Sequence, residues 1–216
     1  PPMVETIPNF VDTDNLRPLD RLTEYRREHR LGDRTVVMYA GNLGHSQSLD
    51  LVVEAARRHQ NRDDLVYVIN GGGVRAEEIA AAAGGLQNLV VIGYQPFERL
   101  AEVLATGDIH VVPLRTGLAS ASVPSKAYST MAAGRPIIAS VDQDTEVALM
   151  VADAEAGLAV PPDDPDAFTA AVEYLAGDVE LRTRMGVNAR AWAEEFHSAR
   201  VAAGAYLDLV GCLTGP

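Results

Sequence analysis

A lone cysteine, Cys212, in 216 residues leaves no way to form an intrachain disulfide or a thiolate metal cluster. Lysine is equally scarce: Lys126 is the only one, every other basic side chain being arginine. Positive charge is in deficit throughout, with 18 Lys and Arg against 30 Asp and Glu and a formal net charge of -12. Such a surface repels phosphate backbones and anionic lipid, which argues against nucleic acid as a partner. A few converging donors can still hold one anion. No apolar run approaches the roughly 20 residues of a membrane span, and the first residues lack the apolar core of a signal peptide. A cytoplasmic protein is expected. His, Asp and Glu show no metal-ligand spacing, so no metal is expected either.

Two phosphate-binding signatures are also missing. The turn Gly41-Asn42-Leu43-Gly44-His45-Ser46-Gln47 lacks the G-x-G-x-x-G spacing of dinucleotide-binding domains. No Gly-Lys-Ser/Thr sequence occurs, which removes the P-loop. The run Gly71-Gly72-Gly73 reads more simply as a turn than as a ligand cradle.

What is present is an alternation of strands and helices. With 47% hydrophobic and 22% charged residues, the chain suits one large globular domain with a full core. Buried strands are predicted at Thr35 to Ala40, Leu65 to Ile69, Leu89 to Ile92, Asp108 to Pro113, Pro136 to Ser140 and Gly157 to Val160. Helical spacing marks Ser48 to His59, Ala76 to Ala83, Phe97 to Ala105 and Ser125 to Ala133. Three closing helices follow at Pro165 to Ala176, Val179 to Phe196 and Ser198 to Leu213. Right-handed crossovers between such units give an α/β, doubly wound, parallel six-stranded sheet of Rossmann-like kind. Ligands in these sheets sit beyond the carboxyl ends of the strands, near the reversal of strand order. The stretches 41–47, 70–73, 93–96 and 115–126 are therefore the segments that carry chemistry.

Order and spacing then become specific. Ile-Pro-Asn-Phe-Val-Asp (7–12) precedes Val-Met-Tyr-Ala-Gly-Asn-Leu-Gly (37–44) and Ser-Leu-Asp-Leu-Val-Val-Glu-Ala-Ala (48–56). Val-Ile-Asn-Gly-Gly-Gly (68–73), Val-Val-Ile-Gly-Tyr-Gln-Pro (90–96) and Asp-Ile-His-Val-Val-Pro-Leu (108–114) come next. Val-Pro-Ser-Lys-Ala-Tyr-Ser-Thr-Met-Ala-Ala-Gly-Arg-Pro-Ile-Ile-Ala-Ser (123–140) and Gly-Leu-Ala-Val-Pro-Pro-Asp-Asp (157–164) complete the series. From about Ile7 to Phe196 the chain resembles the C-terminal domain of the group 1 retaining glycosyltransferases, family 4, whose architecture is the two-domain GT-B fold. The Pro-Ser-Lys variant further resembles members that build bacterial surface polysaccharides.

That resemblance implies a donor-binding domain for a nucleotide diphosphate sugar, with UDP favoured and no resident cofactor. Residues 1–34 then read as interdomain connection and lead-in, and 35–213 as the donor domain. The partner is an N-terminal acceptor domain of the same protein, so this half alone is expected to be inactive. A lipid-linked or saccharide acceptor, met at the inner face of the membrane, completes the picture.

Departing nucleoside diphosphate carries growing negative charge, and positioned donors stabilise it. A helix N-terminus supplies free N–H groups and a partial positive charge. Ser125 is placed to cap the helix that follows Pro124, and Lys126 adds a point charge beside it. Arg115, on the same loop, is a second candidate cation. The bland alternative for both is a solvated surface charge.

The resemblance implies an Arg and a Lys after the first strand, but Gly41-Asn42-Leu43 and Gln47-Ser48 stand there. It also implies two glutamates, yet Ser129 occupies the second position, and the 119–122 stretch holds no acid. Lys126 and Arg115 are accordingly the expected substitutes, assigned to catalysis, with Ser129 keeping a ribose contact. Gly41, Asn42, Gly44, His45, Gly93, Tyr94, Ser125 and Glu146 are further donor-binding candidates. Glu146 is matched to an acidic site near the sugar hydroxyls, against the plainer role of capping a helix. Two other readings stay open: a non-catalytic nucleotide-sugar-binding module, suggested by the missing glutamates, and half of a sugar-nucleotide epimerase using His45. Trp192 and Phe196 are expected to pack against the sheet.

Overall fold

The computed structural model describes residues 6–118 and 125–214. Its frame is a six-stranded sheet in the order β3-β2-β1-β4-β5-β6, and every neighbouring pair is parallel. The strands are β1 (Thr35–Asn42), β2 (Leu65–Gly72), β3 (Leu89–Ile92), β4 (Ile109–Pro113), β5 (Ile137–Ser140) and β6 (Gly157–Val160). The chain winds outward from β1 to one edge, returns, and continues from β4 to the other. The crevice between the carboxyl ends of β1 and β4 is thus the point where ligands bind in such sheets.

The helices are α1 (Glu24–Glu28), α2 (Leu49–Arg58), α3 (Ala76–Ala82), α4 (Leu100–Thr106), α5 (Ser125–Ala132), α6 (Glu146–Asp153), α7 (Pro165–Ala176), α8 (Val179–Phe196) and α9 (Ala199–Thr214). Alternation along β1 splits the core. Val37 and Tyr39 join a cluster containing α2 and α7 residues, whereas Val36 and Met38 pack with Tyr25 of α1 and Val103 of α4. A third cluster fills the space among α5, α6, α8 and the β4–β5 half.

Most predicted elements appear within two residues of their expected bounds, and β3, β6, α7 and α8 match. Two strands run further than expected. Pairing of β1 with β2 continues through Gly41↔Gly71 and Asn42↔Gly72, so the glycines extend the ladder instead of ending it. At Gly71 φ is +152°, and a Cβ there would overlap the Gly41 carbonyl oxygen. Only glycine lets the two backbones meet so closely.

Two short helices were not foreseen. Thr23 caps α1 by accepting from the Arg26 N–H at 3.0 Å, and Thr145 caps α6 by accepting from Ala148 N–H at 3.3 Å. Trp192 is partly buried against the α5–α8 cluster, and Phe196, its ring against that of Trp192, is 41% exposed. The lead-in lies against the domain: Tyr25 and Leu31 are fully buried. Asp108, at the start of β4, binds Arg21 and Arg26 of the lead-in and accepts from Val36 N–H at 2.8 Å.

Candidate functional site

A cleft of about 310 Å³ opens over the carboxyl ends of β1 and β2. Its floor is Ala40, Gly41 and Asn70; α5 contributes Ser125, Lys126, Ser129 and Thr130. Tyr94 to Phe97, with Leu100, Val103 and Leu104 of α4, form an apolar wall. A larger hollow of about 410 Å³ lies at the opposite end of the sheet, by Thr35, Asp108 and Pro136. The strand topology points to the first as the ligand-binding cleft.

Lys126 is the centre of this cleft. Its ammonium donates to the Tyr39 hydroxyl at 2.5 Å and stands 4.6 Å from the centre of that ring. Tyr39 in turn donates its proton to the Asn42 carbonyl at 2.5 Å, which leaves its oxygen lone pairs facing the ammonium. Burial alone draws Lys126 down from 10.5 to about 8. Burial also pushes the Tyr39 hydroxyl well above the ordinary tyrosine value, helped by nearby Tyr94, so it stays neutral. The lysine side chain lies across Gly41, where φ is +147° and a Cβ would overlap its Cε. Gly41 is required both by its backbone and by the lysine above it.

Five of the donor-site candidates meet here: Gly41, Tyr94, Ser125, Lys126 and Ser129. Ser125, expected as the cap of α5, is the first described residue of that helix, and the positions before it lie outside the described residues. Among the described residues Ser129 makes only a long contact, 3.5 Å, to the Ser125 carbonyl, so its hydroxyl has capacity for a ligand. Tyr94 is exposed, with its ring resting on Gly72. Gly93 stands at the rim, its carbonyl accepting from the Asn70 side-chain amide at 2.6 Å.

The other candidates are placed elsewhere. Arg115 does not join Lys126. Its guanidinium donates to the His45 carbonyl at 3.0 Å and to Asp50 at 2.8 Å, and faces Asp163 at 3.9 Å. Two carboxylates hold it against the start of α2. His45 is exposed on that outer loop, and the Gly44 N–H is already bound by Gln47 at 3.0 Å. Asn42 contributes its carbonyl to Tyr39. Glu146 opens α6 outside the cleft wall, where it accepts from the Tyr128 hydroxyl at 2.8 Å. Lys126 is consequently the one cation among the described residues lining the cleft. Its unforeseen partner, Tyr39, sat within an apolar strand; parity with Gly41 two positions on was the available signal. Among the described residues no group of His, Cys, Asp and Glu is arranged to hold a metal.

A parallel doubly wound sheet with an ammonium-bearing cleft beyond the carboxyl ends of its strands defines the class, a Rossmann-like α/β domain. The family model described as "Glycosyl transferases group 1" matches residues 34–178, and the chain belongs to that family. It is similar to the alpha-D-kanosaminyltransferase of Streptomyces kanamyceticus, 27% identical over 187 residues, covering 83% of this chain and 47% of that protein. Another relative is the Escherichia coli K12 protein WcaI, named for a glycosyl transferase role in colanic acid biosynthesis. It is 31% identical over 116 residues, covering 53% of this chain and 28% of its own length. The chain thus spans less than half of these two relatives. The solved structure of Anabaena Alr3699/HepE in complex with UDP shares the fold, with a TM-score of 0.77 at 14% identity, covering 96% of this chain and 57% of that one.

Proposed function

We propose that this chain is the donor-binding half of a retaining glycosyltransferase that moves a sugar from a nucleotide diphosphate, UDP by preference, to an acceptor in surface polysaccharide synthesis. The observation that carries this reading is the Lys126 ammonium, held by Tyr39 over the glycine floor at the mouth of the sheet. In this reading the diphosphate lies against the α5 N-terminus and Lys126, and the base lies along the Tyr94–Leu104 wall. Charge building on the leaving diphosphate is offset by the ammonium and the helix N–H groups. The relatives' names support sugar transfer, and the UDP-bound structure supports the nucleotide. Acceptor binding is assigned to an N-terminal domain, where a lipid-linked or saccharide acceptor would be met. Among the described residues no helix is long and apolar enough to cross a membrane.

One observation favours a second reading. The described lining of the cleft contains no carboxylate, and Glu146 is engaged by Tyr128. A module that binds donor without transferring it would look the same from this half. Calorimetric titration with UDP, GDP and ADP tests the shared premise, with saturable UDP binding expected. Lys126→Ala should weaken it by roughly 10- to 100-fold, as loss of a charge-assisted contact implies. Unchanged affinity would remove Lys126 from the site. Product anomer analysis with the full-length protein and a lipid-linked acceptor separates transferase from binding module.

A further inference from the structure

The hollow at the amino ends of the strands is lined by Arg21, Arg135, Arg182 and Arg190 in a protein whose net charge is -12. Two of these have carboxylate partners. Arg21 is bound by Asp108 at 2.6 Å, and Arg190 by Glu194 at 2.7 Å. Asp108 is fully engaged, since it also serves Arg26 and the Val36 N–H. The wall's other acid, Asp33, is exposed.

Arg135 and Arg182 have only carbonyl acceptors among the described residues. Arg182 donates to the Leu175 and Ala176 carbonyls at 2.5 and 2.7 Å, closing the end of α7. Arg135 donates to the Leu19 carbonyl at 2.8 Å, while its Nε is buried with no acceptor among the described residues. Carbonyls satisfy N–H groups but bring no countercharge. Burial holds both guanidinium groups below their ordinary range, and Arg21 pushes the same way against the pull of Asp108.

The pair is also rigidly carried. Gly186 of α8 meets the Gly134 carbonyl so closely that a Cβ would overlap it. Arg182 lies one turn before Gly186 on the same helix face, and Arg135 follows Gly134 directly. The contact therefore locks the two guanidinium-bearing elements against one hollow.

We propose that this hollow is an anion site, distinct from the donor cleft, which takes a phosphate group between Arg135 and Arg182. Planar forks of donors suit the tetrahedral oxyanion, and neither guanidinium has a carboxylate hydrogen-bonded to it among the described residues. The ligand is inorganic phosphate or a small phosphomonoester. Because the lead-in, the 134–136 turn and α8 all border the hollow, occupancy stabilises the fold by linkage.

The test is a titration of the chain with inorganic phosphate, and separately with glycerol phosphate, at constant ionic strength. Thermal midpoint and amide shifts are followed together. A saturable rise with shifts at Arg135, Thr183 and Gly186 is expected, retained in Lys126→Ala and weakened at least tenfold in Arg135→Gln. The better-bound arm names the source. A midpoint that stays unchanged as phosphate replaces chloride at constant ionic strength overturns the proposal. So does a response lost in Lys126→Ala but kept in Arg135→Gln, which would place the anion in the donor cleft. Should Arg135→Gln fail to fold, the amide map of the unmutated chain decides, and shifts confined to Gly41 and Lys126 refute the site.

Discussion

The Lys126 ammonium and the Tyr39 hydroxyl are 87 positions apart in sequence and 2.5 Å apart in space. The tyrosine has already given its proton to the Asn42 carbonyl, so it can only accept from the lysine. Tyr39→Phe keeps the ring under the ammonium but removes that acceptor. UDP affinity should fall by about three- to tenfold, with a stability loss of about 1 kcal/mol for the missing hydrogen bond. Calorimetry at pH 6.5 and 8.5 reads the first and chemical denaturation the second. Affinity equal to that of the unmutated chain at both pH values would mean the hydroxyl does not position the lysine.

The same lysine sets a pH dependence with opposite signs for binding and folding. Burial lowers Lys126 to about 8, below its ordinary 10.5. The folded chain loses this proton before the unfolded chain does, so the cost of burying the charge is present below about pH 8 and fades as pH rises toward the ordinary value. Donor binding needs the charged form and should weaken over that rise. UDP dissociation constants from pH 6.5 to 9.5 check this. Lys126→Arg, whose charge does not titrate there, should flatten the profile.

Two glycines in register should respond differently to alanine. At Gly41 the obstacle is the movable end of Lys126 plus an unfavourable φ, so Gly41→Ala should cost about 1–3 kcal/mol and displace the lysine. At Gly71 the obstacle is the Gly41 backbone carbonyl, which has nowhere to go. Gly71→Ala should lose more stability than Gly41→Ala in urea denaturation. The reverse ranking would contradict the β1–β2 register.

Arg115 is held by Asp50 and the His45 carbonyl, away from the cleft. Its ion pairs are partly exposed, a setting worth about 0–1 kcal/mol. Arg115→Ala should leave UDP affinity within twofold and stability within about 1 kcal/mol of the original. A tenfold loss of UDP binding would return Arg115 to the donor site.

Elements whose boundaries carry their own chemistry were legible in the sequence. α7 opens with Asp164 as cap and Pro165 at its first turn, and its bounds were read to the residue. α6 was not, because its eight residues follow an acidic stretch that invites a ligand reading, whereas Thr145 and Glu146 start a helix. Strand ends at Asn42 and Gly72 were missed because glycine signals a turn locally, while register with a neighbouring strand is a non-local fact. The position of Lys126 followed from its place after β4. Its dependence on Tyr39 did not, since nothing within an apolar strand distinguishes a core tyrosine from one whose hydroxyl reaches the rim. The partners of Arg115 were hidden for the converse reason: Asp50 and Asp163, distant in sequence, capture it.

Asp108 reaches back to Arg21 and Arg26, ahead of the first strand. A hybrid made by joining this domain to a foreign segment at Thr35 would strand that carboxylate, 7% exposed, without either guanidinium. Loss of such buried partners typically costs about 3–5 kcal/mol. Swapping of donor specificity between relatives should therefore succeed at junctions upstream of Pro18 and fail at the strand itself.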